Sequence, residues 1–234
     1  DTVGFIGDSI ELMSRVLMST AHLREADDAL DDQTKPATPL RIGVYRTRYV
    51  EEASVDVLAA LDGVTARLAE AGHVVTEVED PFNDVDINAL QDVVMWGEAI
   101  EAMAPELASS YDRLSGAVVS ALETHRHISK AAIVAAKDKL ASLRPLCDEA
   151  MKGLDAWLTP AVPGVAPLME EGNGVATFNR LFTALHVPCL TFPAGWGADD
   201  LPLGLQLVGP RGGDGRLIRV AQAVQQLISE TRFR

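Results

Sequence analysis

Residues 188–230 carry the strongest constraint on the fold. "PCLTFPAGW" (188–196) and "LPLGLQLVG" (201–209) read as strands, and the "GADD" between them reads as a hairpin turn. A glycine-rich stretch follows. Beyond it Leu217, Ile218, Val220, Ala221, Val224 and Leu227 recur at helical spacing and predict a helix over 215–230. Two strands and a one-sided helix must share a core, which places the chain in the α/β class.

The linking segment, "QLVGPRGGDGRLIRV" (206–220), has the layout of a phosphate cradle and fails its residue tests. Counted from Gly209, a Walker loop would need Gly, Lys and Ser/Thr where Asp214, Gly215 and Arg216 stand. Gly209, Gly212, Gly213 and Gly215 do not fit a dinucleotide fingerprint either. Asp214 suits the N-cap of the last helix, and a carboxylate there repels phosphate. No nucleotide or other cofactor is expected.

A β-α-β unit occupies 40–86. "LRIGVY" (40–45) and "HVVTEVED" (73–80) are strands, with a helical pattern over 51–71 and Gly72 as its stop. One helix between two strands favours parallel pairing with a right-handed crossover. Residues 87–153 read as a helical region in three or four pieces, with Pro145 kinking or splitting the last one, 128–152. "DAWLTPAVPGVAPL" (155–168) is a strand entering a proline-rich loop, and "GVATFNRLFTALH" (174–186) is a helix. At the other end, 5–22 reads as one amphipathic helix and 23–39 as a polar surface connection. The acidic residues of that connection lack the glycine and distal glutamate of a calcium loop.

Composition narrows the function class. The 47% hydrophobic content suffices for a core, and a net charge of −14 repels nucleic acid and anionic membranes. No run of 18 apolar residues suggests a membrane span. The opening "DTVGFIGDSI" has neither an initiator Met nor the basic region of a leader, and reads as mid-chain. Cys147 and Cys189 are expected to be two buried free thiols in the cytoplasm rather than a disulfide.

Catalytic motifs are incomplete. Gly7-Asp8-Ser9 looks like a serine esterase block, but the chain has no Asp-x-x-His, and its last histidine is His186. His125 and His127 lack an H-E-x-x-H frame and a third clustered ligand, so no metal is expected. Gly-x-Ser-x-Gly is absent.

The residues do carry a resemblance. "LDAWLTPAVPGVAP" (154–167) and "FNRLFTALHVPCLTFPAGWGADDLPLGLQLVGPRGGDGRLIRVAQAVQ" (178–225) resemble the amidase signature family, which hydrolyses carboxamides and includes the glutamine-amidase subunits of tRNA-dependent amidotransferases. Pro188, Pro193, Ala194, Gly195, Leu201, Pro202, Gly204, Gln206, Gly209 and Asp214 fall on its pattern. "DTVGFIGDSIELMSRVLM" is similar to the family's Asp-Thr-x-Gly segment with its helix. Asp8 departs from it, standing where the family usually has arginine, at the cost of a local ion pair. "LRIGVY", "LAEAGHVVTEVEDP" and "GEA" (97–99) fit the middle of the family more weakly.

The resemblance implies that 1–234 is the C-terminal portion of a single amidase signature domain, a mixed sheet with helices on both faces. The family's catalysis uses a Ser–cis-Ser–Lys triad in and around a Gly/Ser-rich segment amino-terminal to Asp-Thr-x-Gly. That segment is not in this sequence. Lys35, Lys130, Lys137, Lys139 and Lys152 match no motif position, and Ser9 matches a non-catalytic serine, so no catalytic residue is assigned. Thr159, Pro160 and Val162 are the implied substrate-pocket residues, with Phe178 and Trp96 as apolar walls. The implied partners are the N-terminal catalytic portion and a small-molecule amide, with no direct nucleic-acid or membrane contact; room is left for a homodimer. An amidotransferase subunit releasing ammonia from glutamine, and a non-catalytic scaffold that kept the fold, stay open. Alone, the strands at 188–194 and 202–208 are expected to lack partners and the chain to be inactive.

Overall fold

The structure is a computed structural model and describes residues 4–20 and 39–229. The acidic connection at 23–38 therefore lies outside the described residues. The first helix, α1 (Ile10–Thr20), starts later than its periodicity predicts. Ser9 causes the delay, because its Oγ accepts from Leu12 N at 3.2 Å and caps the helix, leaving Phe5 and Ile6 exposed ahead of it.

The β-α-β unit forms as expected. Strand β1 (Arg41–Val44) pairs in parallel with β2 (Val74–Glu77), Ile42 opposite Val75. Helix α2 (Val55–Glu70) joins them, with Ser54 Oγ accepting from Val57 N at its start. Gly72, at φ +85, turns the chain back just beyond its end.

Four helices then fill 87–153: α3 (Ile87–Ala102), α4 (Ala104–Ser109), α5 (Gly116–His125) and α6 (Lys130–Ala150). Pro145 does not split α6, which runs 21 residues with the proline inside. Leu143 and Cys147, buried on either side of it, hold both halves to the same core. That burial offsets the one helical hydrogen bond Pro145 cannot donate.

Strand β3 (Ala156–Pro160) enters on the far side of β1 and is parallel to it. All five of its residues are buried, as befits a strand with neighbours on both edges and helices on both faces. After it come α7 (Thr177–Leu185), β4 (Cys189–Trp196), β5 (Pro202–Val208) and α8 (Asp214–Ser229). β5 lies antiparallel to both β3 and β4, giving the order β2-β1-β3-β5-β4. This corrects the expectation that 202–208 would lack a partner: β3 supplies one. The strand expected at 188–194 is likewise partnered, by β5, and among the described residues only the outer edge of β4 in that hairpin is unpaired.

Two cores sandwich the sheet. Ile42, Val44, Leu158, Leu205, Leu207 and Phe192 meet α1, α2 and α8 on one face. Tyr45, Trp157 and Val208 meet α3, α6 and α7 on the other. There the Tyr45 ring centroid lies 4.8 Å from that of Trp157 and 6.4 Å from that of Phe182. Gly43 makes this packing possible, since a Cβ on it would come within 2.9 Å of Trp157 Cδ1 and closer still to Val78 and Leu154. Both cysteines are free. Cys147 is buried, and burial pushes its thiol up to about 12, whereas Cys189 is exposed on β4, contrary to the expectation of two buried thiols. Among the described residues no helix is long and apolar enough to cross a membrane.

Candidate functional site

Strands β1, β3 and β4 run the same way, so their carboxyl ends share one side of the molecule, where α/β sheets place ligands. Thr159 and Pro160 are the last two residues of β3, within the strand rather than in the loop that follows. Thr159 is fully buried and faces Gln206 across the β3–β5 ladder. Phe178, in the first turn of α7, is also fully buried, and Val162 is half-buried just past the strand.

One side chain joins these elements. Gln206 Nε2 donates to Pro160 O at 2.9 Å and to Phe178 O at 3.3 Å. The start of α7 has two further anchors: Thr177 Oγ1 donates to Glu52 Oε2 at 2.7 Å, and Asn88 Nδ2 donates to Thr177 O at 2.9 Å. Ser54 N donates to Pro163 O at 2.6 Å and ties the loop to α2. Gln206 is not among the pocket residues that the resemblance implies, although the sequence carries a signal for it: a lone amide in the apolar strand "LPLGLQLVG". A buried amide is costly unless its hydrogen bonds are made.

Trp96 is engaged elsewhere. Its indole stacks on His125 of α5, centroids 4.5 Å apart and planes 7° from parallel. His125 Nδ1 lies 2.7 Å from Ala121 O, and His127 Nδ1 lies 3.0 Å from Thr124 O, so both rings bond back to their own turn. Among the described residues no group of three or more His, Cys, Asp or Glu side chains could hold a metal ion.

The site holds unpartnered polarity. Thr159 Oγ1, Gln206 Oε1, Asn88 Oδ1 and Gln91 Oε1 are buried without a hydrogen-bond partner. Tyr49 Oη donates to Asp86 Oδ1 at 2.9 Å, and burial, above all, pushes its hydroxyl up to about 12, far from proton transfer near neutrality. No Ser, Thr or Cys among the described residues is hydrogen-bonded to a histidine or lysine, so no nucleophile–base pair is assembled here. Lys130, Lys137 and Lys152 are engaged with Glu101, Glu98 and Glu149 at the surface.

β4 presents two unlike faces. Phe192 and Ala194 are buried on the α2/α8 side, while Cys189, Thr191 and Pro193 are exposed on the other. Val208 and Gln206, which face Cys189 and Thr191 from β5, are buried. Apolar side chains also stand exposed near this end of the sheet, including Leu168, Met169 and Val175 of the loop after β3 and Trp196 at the end of β4.

The glycine-rich loop resolves into a plain turn. Gly213 N donates to Pro210 O at 2.9 Å, and Gly213 O accepts from Leu217 N at 2.9 Å. Gly213 thus takes the cap position, and Asp214, expected there, is instead the first helical residue, still suited to the positive helix end. An open groove of about 380 Å³ beside it is lined by Asp148, Lys152, Arg211 and Arg216 among others, with Arg211 paired to Asp148 and Arg216 to Asp155.

The sequence pattern of the family described as Amidase matches residues 1–218 of the 234. The chain belongs to the Amidase family. Among curated relatives, this Amidase-family chain is 25% identical to 2-amino-5-chloromuconic acid deaminase of Comamonas testosteroni, across 95% of its own length and 52% of the relative's. It is 26% identical to a glutamyl-tRNA(Gln) amidotransferase subunit of Neisseria meningitidis, across 88% of its own length and 49% of that protein. It is also 26% identical to fatty acid amide hydrolase of Medicago truncatula, over 87% and 36% of the two chains. The chain thus spans about half the length, or less, of these relatives. Its fold matches a crystal structure of an amidase at a TM-score of 0.70, with 21% identity over 83% of this chain and 48% of that one. A bacterial aryl acylamidase matches at 0.67, with 16% identity over 86% and 45%. The family as a whole is one of amide-hydrolysing proteins, in keeping with amidase chemistry in general.

Proposed function

We propose that this chain is the pocket-building, carboxyl-terminal portion of an enzyme that hydrolyses a carboxamide to a carboxylate and ammonia or an amine. The Ser–cis-Ser–Lys set would come from residues amino-terminal to Asp1. The observation that carries this is β4, an eight-residue strand with one face in the core, the other bare, and an edge unpaired among the described residues. Long bare edges invite further pairing, and family relatives are about twice as long as this chain. Added strands would continue the sheet beyond β4, and the elements packed on them would cover Thr191 and Pro193.

The chemistry then follows the family pattern. The nucleophilic serine oxygen adds to the amide carbon, its proton passing through the bridging serine to the lysine. Backbone amides hold the developing oxyanion. Collapse breaks the C–N bond, and the departing nitrogen takes the proton. Water then cleaves the acyl-serine ester, releasing the carboxylate. Thr159, Pro160 and Val162 would line the acyl pocket, with Phe178 as an apolar wall, while Trp96 stays in its stack on His125.

Co-expression of this chain with an upstream Gly/Ser-rich segment tests the proposal. Amide hydrolysis in the pair, but not in the chain alone, is the expected result. A monodisperse chain that folds alone and gains no activity would leave the non-catalytic scaffold in its place. The kinship with an amidotransferase subunit favours a second reading, ammonia release from glutamine, although a net charge of −14 disfavours direct tRNA contact by this portion. Ammonia release from a panel of amides, with and without glutamine, separates the two.

A further inference from the structure

We propose that Gln206 is the positioning residue of the acyl pocket, holding both ends of the 161–176 loop with a single carboxamide. This rests on the pocket-building role proposed above. Pro160 immediately precedes the loop and Phe178 closely follows it, and Gln206 Nε2 donates to the carbonyls of both. Gln206 sits on β5, 1% exposed, and its register partners are Thr159 on one side and Thr191 on the other. The other residues of β5 are Pro202, Gly204 and the apolar Leu203, Leu205, Leu207 and Val208, which makes this amide a single polar point in the strand.

The amide orientation is chemically fixed. Two carbonyl oxygens converge on one end of the side chain, so that end must be the NH₂. A flipped amide would set three oxygens against one another. Oε1 accordingly points away from both carbonyls, and it has no partner among the described residues, like Thr159 Oγ1 on the neighbouring strand.

The clamp acts on geometry rather than on chemistry. β3 is locked in the sheet on both edges, whereas α7 packs on the sheet through non-directional apolar contacts around Trp157. Glu52 and Asn88 fix Thr177 to neighbouring elements, and neither of those bonds reaches β3. Gln206 is the group that sets the separation between the Thr159–Pro160 corner and the Phe178 wall, and with it the width available to an acyl group.

The test uses the full-length enzyme and amides of increasing acyl size. Gln206→Met keeps the bulk and removes the donor. KM for large-acyl amides should rise about tenfold while kcat for acetamide stays within about threefold, the pattern of lost binding geometry rather than lost chemistry. Gln206→Glu adds a second signature. As an ionised carboxylate it repels both carbonyls, and when protonated it offers one O–H donor. Its KM for large amides should therefore recover as pH falls, a trend absent from wild type and from Gln206→Met. A merely structural role would lower the active fraction and the melting temperature equally for every substrate and leave KM unchanged; that result overturns the proposal. Hydrogen exchange in the same variants separates this from failure of the amidase reading. If wild type cleaves no amide, the amidase reading falls. The clamp then stands only if amides of 161–178 exchange faster in Gln206→Met with β1 and β2 unchanged, and equal exchange overturns it.

Discussion

Thr159 on β3 and Gln206 on β5 face each other across the sheet, both buried, and each keeps one oxygen without a hydrogen-bond partner. An unsatisfied buried hydroxyl costs about 1–3 kcal/mol. Thr159→Val keeps the branched shape and deletes that cost, so thermal unfolding should occur at an equal or higher temperature. If Thr159 lines the acyl pocket as proposed, the same change should raise KM in the full-length enzyme. A lower melting point would show that Thr159 Oγ1 has a partner in solution.

Gly43 and Trp157 make a second linked pair. A methyl group at 43 would sit within 3.0 Å of Val78, Leu154 and Trp157 atoms at once. Overpacking of this kind costs about 1–3 kcal/mol. Gly43→Ala should lower the unfolding free energy by that amount in urea titration, with an unchanged m-value. An unaltered midpoint would mean that the Trp157 cluster yields more readily than its contacts imply.

The α3–α6 crossing offers a test whose sign reverses. A Cβ at Gly97 would fall 2.5 Å from Ile133 Cδ1. Gly97→Ala should destabilise the wild-type protein despite the gain of about 1 kcal/mol in helix propensity. In an Ile133→Ala background both contacts with Ile133 disappear, leaving Ile128 Cγ2 at 3.3 Å as the nearest neighbour, and the same substitution should stabilise. The coupling is read from the four denaturation curves of the cycle.

His186 supplies a pH dependence. It ends α7 in a left-handed conformation, φ 59, and its Nε2 lies 3.0 Å from Arg144 Nη2, which makes the ring the acceptor. Burial first, then the charges of Arg144 and Arg211, hold its pKa below the ordinary 6.5. The unfolded chain therefore takes up the proton more readily. The stability contributed is complete above the ordinary value and is lost as pH falls from there through the folded pKa. Melting temperature should drop in that window. His186→Asn, which tolerates the left-handed backbone, should flatten that part of the profile. A profile identical to wild type would count against the assignment.

Elements set by local chemistry are legible in the sequence itself. Periodicity places α2 and α8, Gly72 marks the end of α2, and one helix between two strands foretells the parallel β1–β2 pair. What stays hidden depends on distant partners. Nothing local in "DAWLTP" says that it lies between β1 and β5, since its five buried residues would suit any central strand. Pro145 looks like a break because the core that holds both halves of α6 comes from β3 and α7. Asp214 looks like a cap because the turn that makes Gly213 the cap depends on Pro210. At the candidate site, the resemblance names Thr159, Pro160 and Phe178 one by one, whereas the bonds by which the Gln206 amide connects their strand and helix join residues distant in sequence.

The sheet order also bears on how the chain folds. β1 and β3 are neighbours, and Asp155 Oδ2 accepts from Arg41 N across 114 residues of sequence. The centre of the sheet cannot form until the whole helical segment between them has been made and folded back. Closing so long a connection is entropically slow, whereas the β4–β5 hairpin can form at once. A chain refolding from its fully unfolded state would thus display its bare hairpin before it has a finished core, which makes the order of assembly, as much as the final contacts, a determinant of whether it folds or aggregates.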